Sequence, residues 1–175
     1  GYSHLYRKLD LLICSSEKMR NEFVFNFSIN RSTTRILPNP VNESFIHSQI
    51  LPMQPREDDN ILLIASGRLT YQKGFDRLIE WFSHLNNKFS LMILGEGPLK
   101  DDLLQQIKSL GLSDRISLLG FRSNPWALYA AADCFILPSR WEGMPNAVLE
   151  SLACGTPVIV TKEPLLDPEN KRLKS

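Results

Sequence analysis

The stretch NILLIASGRLTYQKGFDRLIEWFSHL, residues 60–85, decides the fold. It opens with an apolar run that ends in glycine, at residues 60–67. A helical pattern follows at residues 75–85, where apolar side chains recur every three or four positions. An apolar strand followed directly by an amphipathic helix is the repeating unit of parallel β-sheets.

The same unit recurs along the rest of the chain. The apolar spacing predicts strands at 89–95, 115–120, 134–138 and 156–161, and helices at 98–110, 125–132 and 146–154. Short strands that are apolar on both faces, with helices between them, indicate a parallel sheet covered on both sides. Right-handed crossovers then give a doubly wound, Rossmann-like α/β domain, in which ligands bind outside the carboxyl ends of the strands.

A shorter pattern of the same kind precedes this domain. It predicts a strand at 9–15, a helix at 17–27 capped by Ser15 or Ser16, and a strand at 35–41 that two prolines end. Residues 46–59 are polar, contain two more prolines, and are interpreted as a linker. The main domain is predicted over 60–175. The polar end KEPLLDPENKRLKS, residues 162–175, loses the alternation and suggests a truncated domain.

Composition and charge exclude several classes of protein. The chain has 175 residues with 20 basic and 19 acidic side chains, so it lacks the strongly basic balance of a nucleic-acid-binding protein. No apolar run reaches the roughly 18 residues that a membrane span needs, and no signal peptide is evident. The three cysteines form no C-x-x-C pair, and no His, Asp or Glu cluster has metal-ligand spacing. We therefore expect reduced thiols and no metal.

Two cations flank the loop after the first long strand. Arg68 follows this strand, and Lys73 precedes the next helix. Together with the positive end of that helix, the two side chains suit an anion with two adjacent negative centres, such as a diphosphate. Two solvated surface cations are the alternative interpretation.

The segment RWEGMPNAVLE, residues 140–150, contains a helix start. We expect Pro145 in the first helical turn, where its missing N–H costs nothing. The amides of Asn146 and its neighbours would then be available to phosphate oxygens. Gly143 would let the backbone approach a ligand closely.

The same segment carries two carboxylates, Glu142 in the loop and Glu150 on the helix. A carboxylate accepts two hydrogen bonds, which suits a vicinal diol of a sugar or a ribose. Both could line one crevice, since they flank the helix start. The alternative is that both are solvated surface residues.

The segment LGEGP, residues 94–98, resembles half of a glycine-rich phosphate loop. It fails the dinucleotide fingerprint G-x-G-x-x-G because Lys100 stands at the third glycine position, so a nicotinamide-dependent oxidoreductase is disfavoured. We expect the two glycines to make a tight turn before Pro98 at the first helical position.

In the order SGRL…KG, LGEGP, GF, PS…EG…P…LE and GTPVI, the motifs resemble the nucleotide-sugar-binding domain of retaining GT-B glycosyltransferases, most closely group 1 (family 4). The resemblance covers about residues 9–161. It implies that residues 1–45 hold the last strand–helix unit of an N-terminal acceptor domain and the connection between domains.

The resemblance also implies a reaction. A sugar would be transferred from a UDP- or GDP-linked donor to a glycan or lipid-linked acceptor bound by the N-terminal domain. The transfer would retain the configuration of the sugar and would need no metal or other cofactor. The expected context is bacterial cell-surface polysaccharide biosynthesis in the cytoplasm, with at most peripheral membrane contact in a longer protein. This chain alone would be inactive. A non-catalytic or truncated nucleotide-sugar-binding module of the same fold is the alternative.

The resemblance finally implies roles for particular residues. Arg68 and Lys73 would bind the diphosphate and stabilise the charge of the leaving group, Glu142 would face the donor sugar, and Glu150 would bind the ribose hydroxyls. Gly67 would be a further donor-binding position. Phe121 and Arg122 would lie beside the nucleobase, and Gly143, Met144, Pro145 and Asn146 would form the loop that meets sugar and phosphate.

Overall fold

A computed structural model describes Tyr6, residues 8–50 and residues 59–162. The described residues form two compact units. One contains the chain up to Pro40 together with Trp141–Pro145, and the other contains Val41–Arg140 together with Asn146–Lys162. The polar end beyond Lys162 and most of the predicted linker lie outside the described residues, so the predicted domain boundaries stay a prediction.

The first unit contains two parallel strands, β1 (Leu12–Cys14) and β2 (Thr34–Ile36), joined by helix α1 (Glu17–Phe27). The predicted N-cap of α1 is confirmed at Ser16, whose side chain accepts a hydrogen bond from the Met19 N–H at 3.1 Å. Both strands are present where the apolar pattern predicted them, although each is shorter than its apolar run.

The second unit begins with helix α2 (Glu43–Gln49) and then alternates strands with helices. The strands are β3 (Ile61–Ser66), β4 (Phe89–Leu94), β5 (Ile116–Gly120), β6 (Cys134–Leu137) and β7 (Val158–Val160). The helices are α3 (Phe75–Phe82), α4 (Lys100–Ser109), α5 (Trp126–Ala131) and α6 (Asn146–Ala153). Every element predicted after residue 60 is therefore present.

Helix α2 lies partly in the segment interpreted as a linker, and the apolar pattern did not predict it. The helix begins because the Asn42 side chain accepts a hydrogen bond from the Phe45 N–H at 2.9 Å, which satisfies one of the first free amides. Ile46 is buried on its inner face. A two-turn helix offers too few apolar positions for its periodicity to stand out in the sequence.

The strands of the second unit form one parallel sheet in the order β5-β4-β3-β6-β7. This arrangement confirms the predicted doubly wound α/β fold. The chain starts at the central strand β3, builds outward to β5, and returns to pair β6 against the other side of β3. The strand order reverses between β3 and β6, and a crevice opens at the carboxyl ends of the strands at such a reversal.

Both faces of the central strand β3 are buried. Along β3, Leu63 and Ala65 point into the core that α3 and α4 cover, whereas Leu62 and Ile64 point into the core that includes Tyr129 of α5. Successive side chains of a strand alternate between faces, so burial of both faces makes the strand a continuous apolar run. This is why the sequence signal was strong.

Two helix starts differ from the prediction. Helices α4 and α6 begin at Lys100 and Asn146, so Pro98 and Pro145 precede the first turn instead of lying in it. In the first case the Leu99 N–H donates to Leu69 O at 3.0 Å, which holds the residue before the helix in a loop contact. The predicted end of α4 is confirmed by Gly111, whose φ of +67° is left-handed.

Candidate functional site

The loops that follow β3 and β4 continue the hydrogen bonding of the sheet beyond its carboxyl edge. The Leu69 N–H donates to Glu96 O at 2.9 Å, and the Gly95 N–H donates to Gly120 O at 2.9 Å. Each loop is thus fixed by its neighbour through main-chain atoms. The carboxyl edge of the second unit is therefore held by main-chain hydrogen bonds at the loops after β3 and β4.

The two glycines of LGEGP allow this close packing of loops. A Cβ at Gly95 would lie 1.9 Å from Gly67 O, and one at Gly97 would lie 2.5 Å from Leu69 O. Gly95 also has a φ of +138°. The sequence suggested a tight turn before a helix, and the structure gives a further reason for glycine, which is the contact between two backbones.

The two predicted cations, Arg68 and Lys73, lie at the end of β3. Arg68 is exposed beside Leu69, which is 1% exposed and anchors the loop in the core. Lys73 closes a single 3-10 turn, Tyr71–Lys73. Its aliphatic stem lies against Gly67, where a Cβ would be 3.1–3.4 Å from three Lys73 carbons. The structure therefore brings the Lys73 side chain back to the residue that precedes Arg68.

An arginine that sequence reasoning did not select holds this turn. Arg140 follows β6 and donates to both carboxylate oxygens of Asp76, at 2.8 and 2.6 Å. It also donates to Tyr71 O at 2.8 Å. The Arg140 guanidinium holds the pKa of the Asp76 carboxyl below its ordinary value. The sequence features that could have identified this pair are an arginine after β6 and an aspartate in the first turn of α3.

Glu150 is half-buried on α6, and an indole orients it. The Trp126 Nε1–H donates to Glu150 Oε2 at 3.2 Å. Burial raises the pKa of Tyr129 to about 12, and the negative charge of Glu150 adds to that increase. Burial and the same carboxylate raise the pKa of Cys154 to about 11. Glu150 is therefore a fixed acceptor beside neutral side chains.

The predicted base-side residues are exposed. Phe121 directly follows β5 with 73% of its surface exposed, and Arg122 is also exposed. Strand β5 lies two positions from β3 in the sheet, which corresponds to a separation of roughly 10 Å. Asn146, the first residue of α6, is exposed as well.

Glu142, Gly143, Met144 and Pro145 belong to the first unit. Within that unit, the Asn39 side chain donates a hydrogen bond to Met144 O at 3.0 Å, across 105 positions of sequence. This contact attaches the loop that carries Glu142 to the segment after β2. The role of these four residues toward a ligand, and a shared crevice of Glu142 with Glu150, stay predictions.

Over residues 8–50 and 59–162, no three His, Cys, Asp or Glu side chains are grouped so that they could hold a metal ion. In the same ranges, no helix combines the length and the apolar character that crossing a bilayer requires.

Comparison with known proteins identifies the family. The family model of the glycosyl transferases group 1 matches residues 49–169, which is more than half of the chain. The chain belongs to the group 1 glycosyltransferases. The resemblance carried by the motifs is confirmed at this level.

Individual relatives support the assignment. The N-acetylgalactosamine-N,N'-diacetylbacillosaminyl-diphospho-undecaprenol 4-alpha-N-acetylgalactosaminyltransferase of Campylobacter jejuni is 38% identical over 159 residues, which are 91% of this chain and 43% of that protein. The lipopolysaccharide core biosynthesis glycosyltransferase LpsE of Rhizobium meliloti is 36% identical over 104 residues, 59% of this chain and 30% of that protein. The chain spans less than half the length of these curated relatives.

The fold of this group 1 chain is also that of solved glycosyltransferase-like structures. The crystal structure of Anabaena Alr3699/HepE in complex with UDP and glucose superposes with a TM-score of 0.78 at 23% identity, and the match covers 92% of this chain and 47% of that one. At this identity the likeness shows the fold alone.

Proposed function

We propose that the chain is the donor-binding part of a retaining glycosyltransferase that takes a sugar from a UDP- or GDP-linked donor. The observation that carries the proposal is the position of the cations Arg68 and Lys73. Both follow β3, the strand at which the sheet order reverses and where this fold binds ligands. The group 1 family membership gives the reaction class.

The chemistry needs groups that stabilise a leaving diphosphate. Breaking the bond between sugar and phosphate builds negative charge on the diphosphate and positive charge on the sugar. Preorganised cations and helix amides stabilise such charge most when they need no rearrangement. The backbone of the Arg68 loop is fixed to its neighbour by main-chain hydrogen bonds, and the aliphatic stem of Lys73 lies against Gly67. The structure therefore holds the backbone that carries Arg68 and the stem of Lys73 in place. No metal is required for this role.

In this proposal the two carboxylates accept hydrogen bonds from hydroxyl groups of the donor. Glu150 accepts them from the ribose, since Trp126 binds one oxygen of its carboxylate and so sets the direction of the other. Glu142 faces the donor sugar. The acceptor hydroxyl attacks the donor sugar on the face from which the phosphate departs, and the departing phosphate assists this attack. The configuration of the sugar is therefore retained, and the protein supplies no nucleophile.

The acceptor is a glycan or a lipid-linked sugar, and it is bound by the N-terminal part of a longer protein. The names of relatives in lipid-linked sugar and lipopolysaccharide biosynthesis support this class of acceptor. We also propose a cytoplasmic location, where nucleotide sugars are the available donors.

The test is thermal stabilisation of the folded chain by a panel of UDP- and GDP-linked sugars, with free UDP, GDP and their nucleosides. A ligand that binds only the native state raises the melting temperature. We expect a selective increase with one base and one sugar, and its loss in Arg68→Ala. The matched control is Lys108→Ala, which removes an exposed cation from the end of α4. Folded chain that no nucleotide stabilises would contradict the proposal.

A further inference from the structure

A pair of charged side chains fixes the turn that carries Lys73. Arg140 binds both carboxylate oxygens of Asp76, and only 17% of the Arg140 side chain is exposed. Bidentate pairing of a guanidinium with a carboxylate is the strongest and most directional form of ion pair. Asp76 lies in the first turn of α3, where its negative charge also favours the positive helix end. The pair therefore joins the end of β6 to the start of α3.

Arg140 also holds the main chain of the turn. Its backbone N–H donates to Gln72 O at 2.7 Å, and its Nη1 donates to Tyr71 O at 2.8 Å. The guanidinium lies 3.9 Å from the centre of the Tyr71 ring. Tyr71 and Gln72 are two of the three residues of the turn, and Lys73 is the third. Arg140 thus holds the backbone that leads directly into Lys73, through its own N–H at Gln72 and through its side chain at Tyr71.

The other side of the turn is equally confined. Gly74, which follows Lys73, has a left-handed φ of +68°, and a Cβ there would lie 2.3 Å from Pro138 O. The stem of Lys73 lies against Gly67. The turn therefore has contacts at its start with Arg140 and at its end with Pro138, which follows β6.

We infer that Arg140 and Asp76 are positioning residues that aim the Lys73 ammonium at the diphosphate and so set the preference of the site for a diphosphate over a nucleoside. The inference rests on the proposed function, because it takes Lys73 as a ligand of the diphosphate. Arg140 acts through Lys73, since its own guanidinium is committed to Asp76 and Tyr71. A lysine at position 140 keeps the charge but lacks the planar fork that makes these contacts together.

The experiment compares affinities for UDP and uridine, and for GDP and guanosine, in wild type, Lys73→Ala, Arg140→Lys and Asp76→Asn. Lys73→Ala should lower the diphosphate affinity about tenfold and leave the nucleoside affinity within about twofold. Arg140→Lys and Asp76→Asn should each lower the ratio of diphosphate to nucleoside affinity by about threefold to tenfold. Adding Arg140→Lys to Lys73→Ala should cost little more, because both changes act through one group.

Arg115→Lys is the matched control. Arg115 also donates to main-chain oxygens, those of Phe89, Leu85 and Asn86, and its guanidinium lies 4.7 Å from the centre of the Phe82 ring. It precedes β5 and so lies at the opposite, amino edge of the sheet. Arg115→Lys should lower the melting temperature as Arg140→Lys does, without changing the affinity ratio.

Two outcomes separate the inference from the proposed function. The first outcome is that Arg140→Lys and Asp76→Asn fold and keep the wild-type ratio of diphosphate to nucleoside affinity, or lose no more of it than Arg115→Lys. This outcome would overturn the inference and leave the proposed function in place. Wild type that binds neither UDP nor GDP would overturn the proposed function itself. If Arg140→Lys does not fold, Asp76→Asn decides the question, because it keeps the arginine and removes only the charge of its partner.

Discussion

The loops after β3 and β4 and the segment after β5 lie at the same edge of the sheet but are built differently. The first two are in backbone contact, so that a methyl group at Gly95 would lie 1.9 Å from Gly67 O. At the last residue of β5, a methyl on Gly120 would meet only the carboxylate of Glu96, with its Oε1 at 2.9 Å, and the next residue, Phe121, is 73% exposed. One end of the proposed donor site is rigid backbone, and the other is exposed side chain.

The difference separates two tasks. A preorganised surface loses little freedom when a ligand binds, so it suits the diphosphate, which every nucleoside-diphosphate donor has. Exposed side chains that follow the end of a strand can be substituted without disturbing the core. We therefore expect the choice of base to depend on the segment after β5, and the binding of phosphate to depend on the loops after β3 and β4.

The largest expected effect is on stability at Gly95. Gly95→Ala should lower the free energy of unfolding by about 3 kcal/mol or more, because the two backbones must separate. Gly120→Ala should cost only about 1–2 kcal/mol, the strain of a left-handed φ of +71° with a flexible side chain as neighbour. Urea unfolding of both variants measures the difference. Equal losses would show that the two regions are equally rigid.

The next effect concerns the rigid region and depends on pH. Asp76→Asn should lower the free energy of unfolding by about 1 kcal/mol at neutral pH, a modest value because the Asp76 side chain is 39% exposed. Arg140 lowers the pKa of Asp76 in the folded state, so the ion pair contributes its full stability above the ordinary aspartate pKa of about 3.9. That contribution disappears as the pH falls through the lower, folded-state pKa.

Urea unfolding of wild type and Asp76→Asn between neutral and acidic pH measures this dependence. Asp102→Asn removes a carboxylate from the first turn of α4 and serves as the control for the effect of a helix end alone. A difference between wild type and Asp76→Asn that stays constant down to acidic pH would exclude the ion pair as its source.

The smallest effect on stability is expected at Phe121. Phe121→Ala should change the free energy of unfolding by less than about 0.5 kcal/mol, because the side chain is mostly exposed. It should nevertheless weaken nucleoside binding several-fold, since stacking of a base on an aromatic ring is worth about 1–3 kcal/mol. Phe121→Tyr, which keeps the ring, should retain the affinity. Nucleoside binding that is unchanged in Phe121→Ala would remove this residue from the base site.

The fold was predictable from the sequence because both faces of the central strands β3, β4 and β6 are buried. Burial on two sides gives these strands continuous apolar runs, and packing on the sheet gives each long helix an apolar stripe, so the elements after residue 60 could be placed within a few residues. Helix α2 could not, since two turns held by the Asn42 cap carry little periodicity. The start of α4 after Pro98 could not be predicted either, because the sequence does not show that the Leu99 N–H donates to Leu69 O.

The site was predictable only in part. Arg68, Lys73 and Glu150 could be selected because they follow strands or lie on a helix at the carboxyl edge of a parallel sheet. Arg140 and Trp126 could not, because their roles depend on which strands are neighbours. The partners Arg140 and Asp76 are 64 positions apart in the sequence. They meet because β6 pairs with β3 and not with β5, the strand that precedes it in the sequence. No local pattern specifies that strand order.

The most direct test of the account is a set of dissociation constants, measured by calorimetry, for wild type, Arg68→Ala and Glu150→Ala with the preferred nucleoside diphosphate and its nucleoside. We expect Arg68→Ala to weaken diphosphate binding by at least about tenfold and to leave nucleoside binding unchanged, because the proposal assigns Arg68 to the phosphates alone. Glu150→Ala should weaken both ligands alike, because both carry the ribose. Equal affinities across the three proteins would contradict the proposed site.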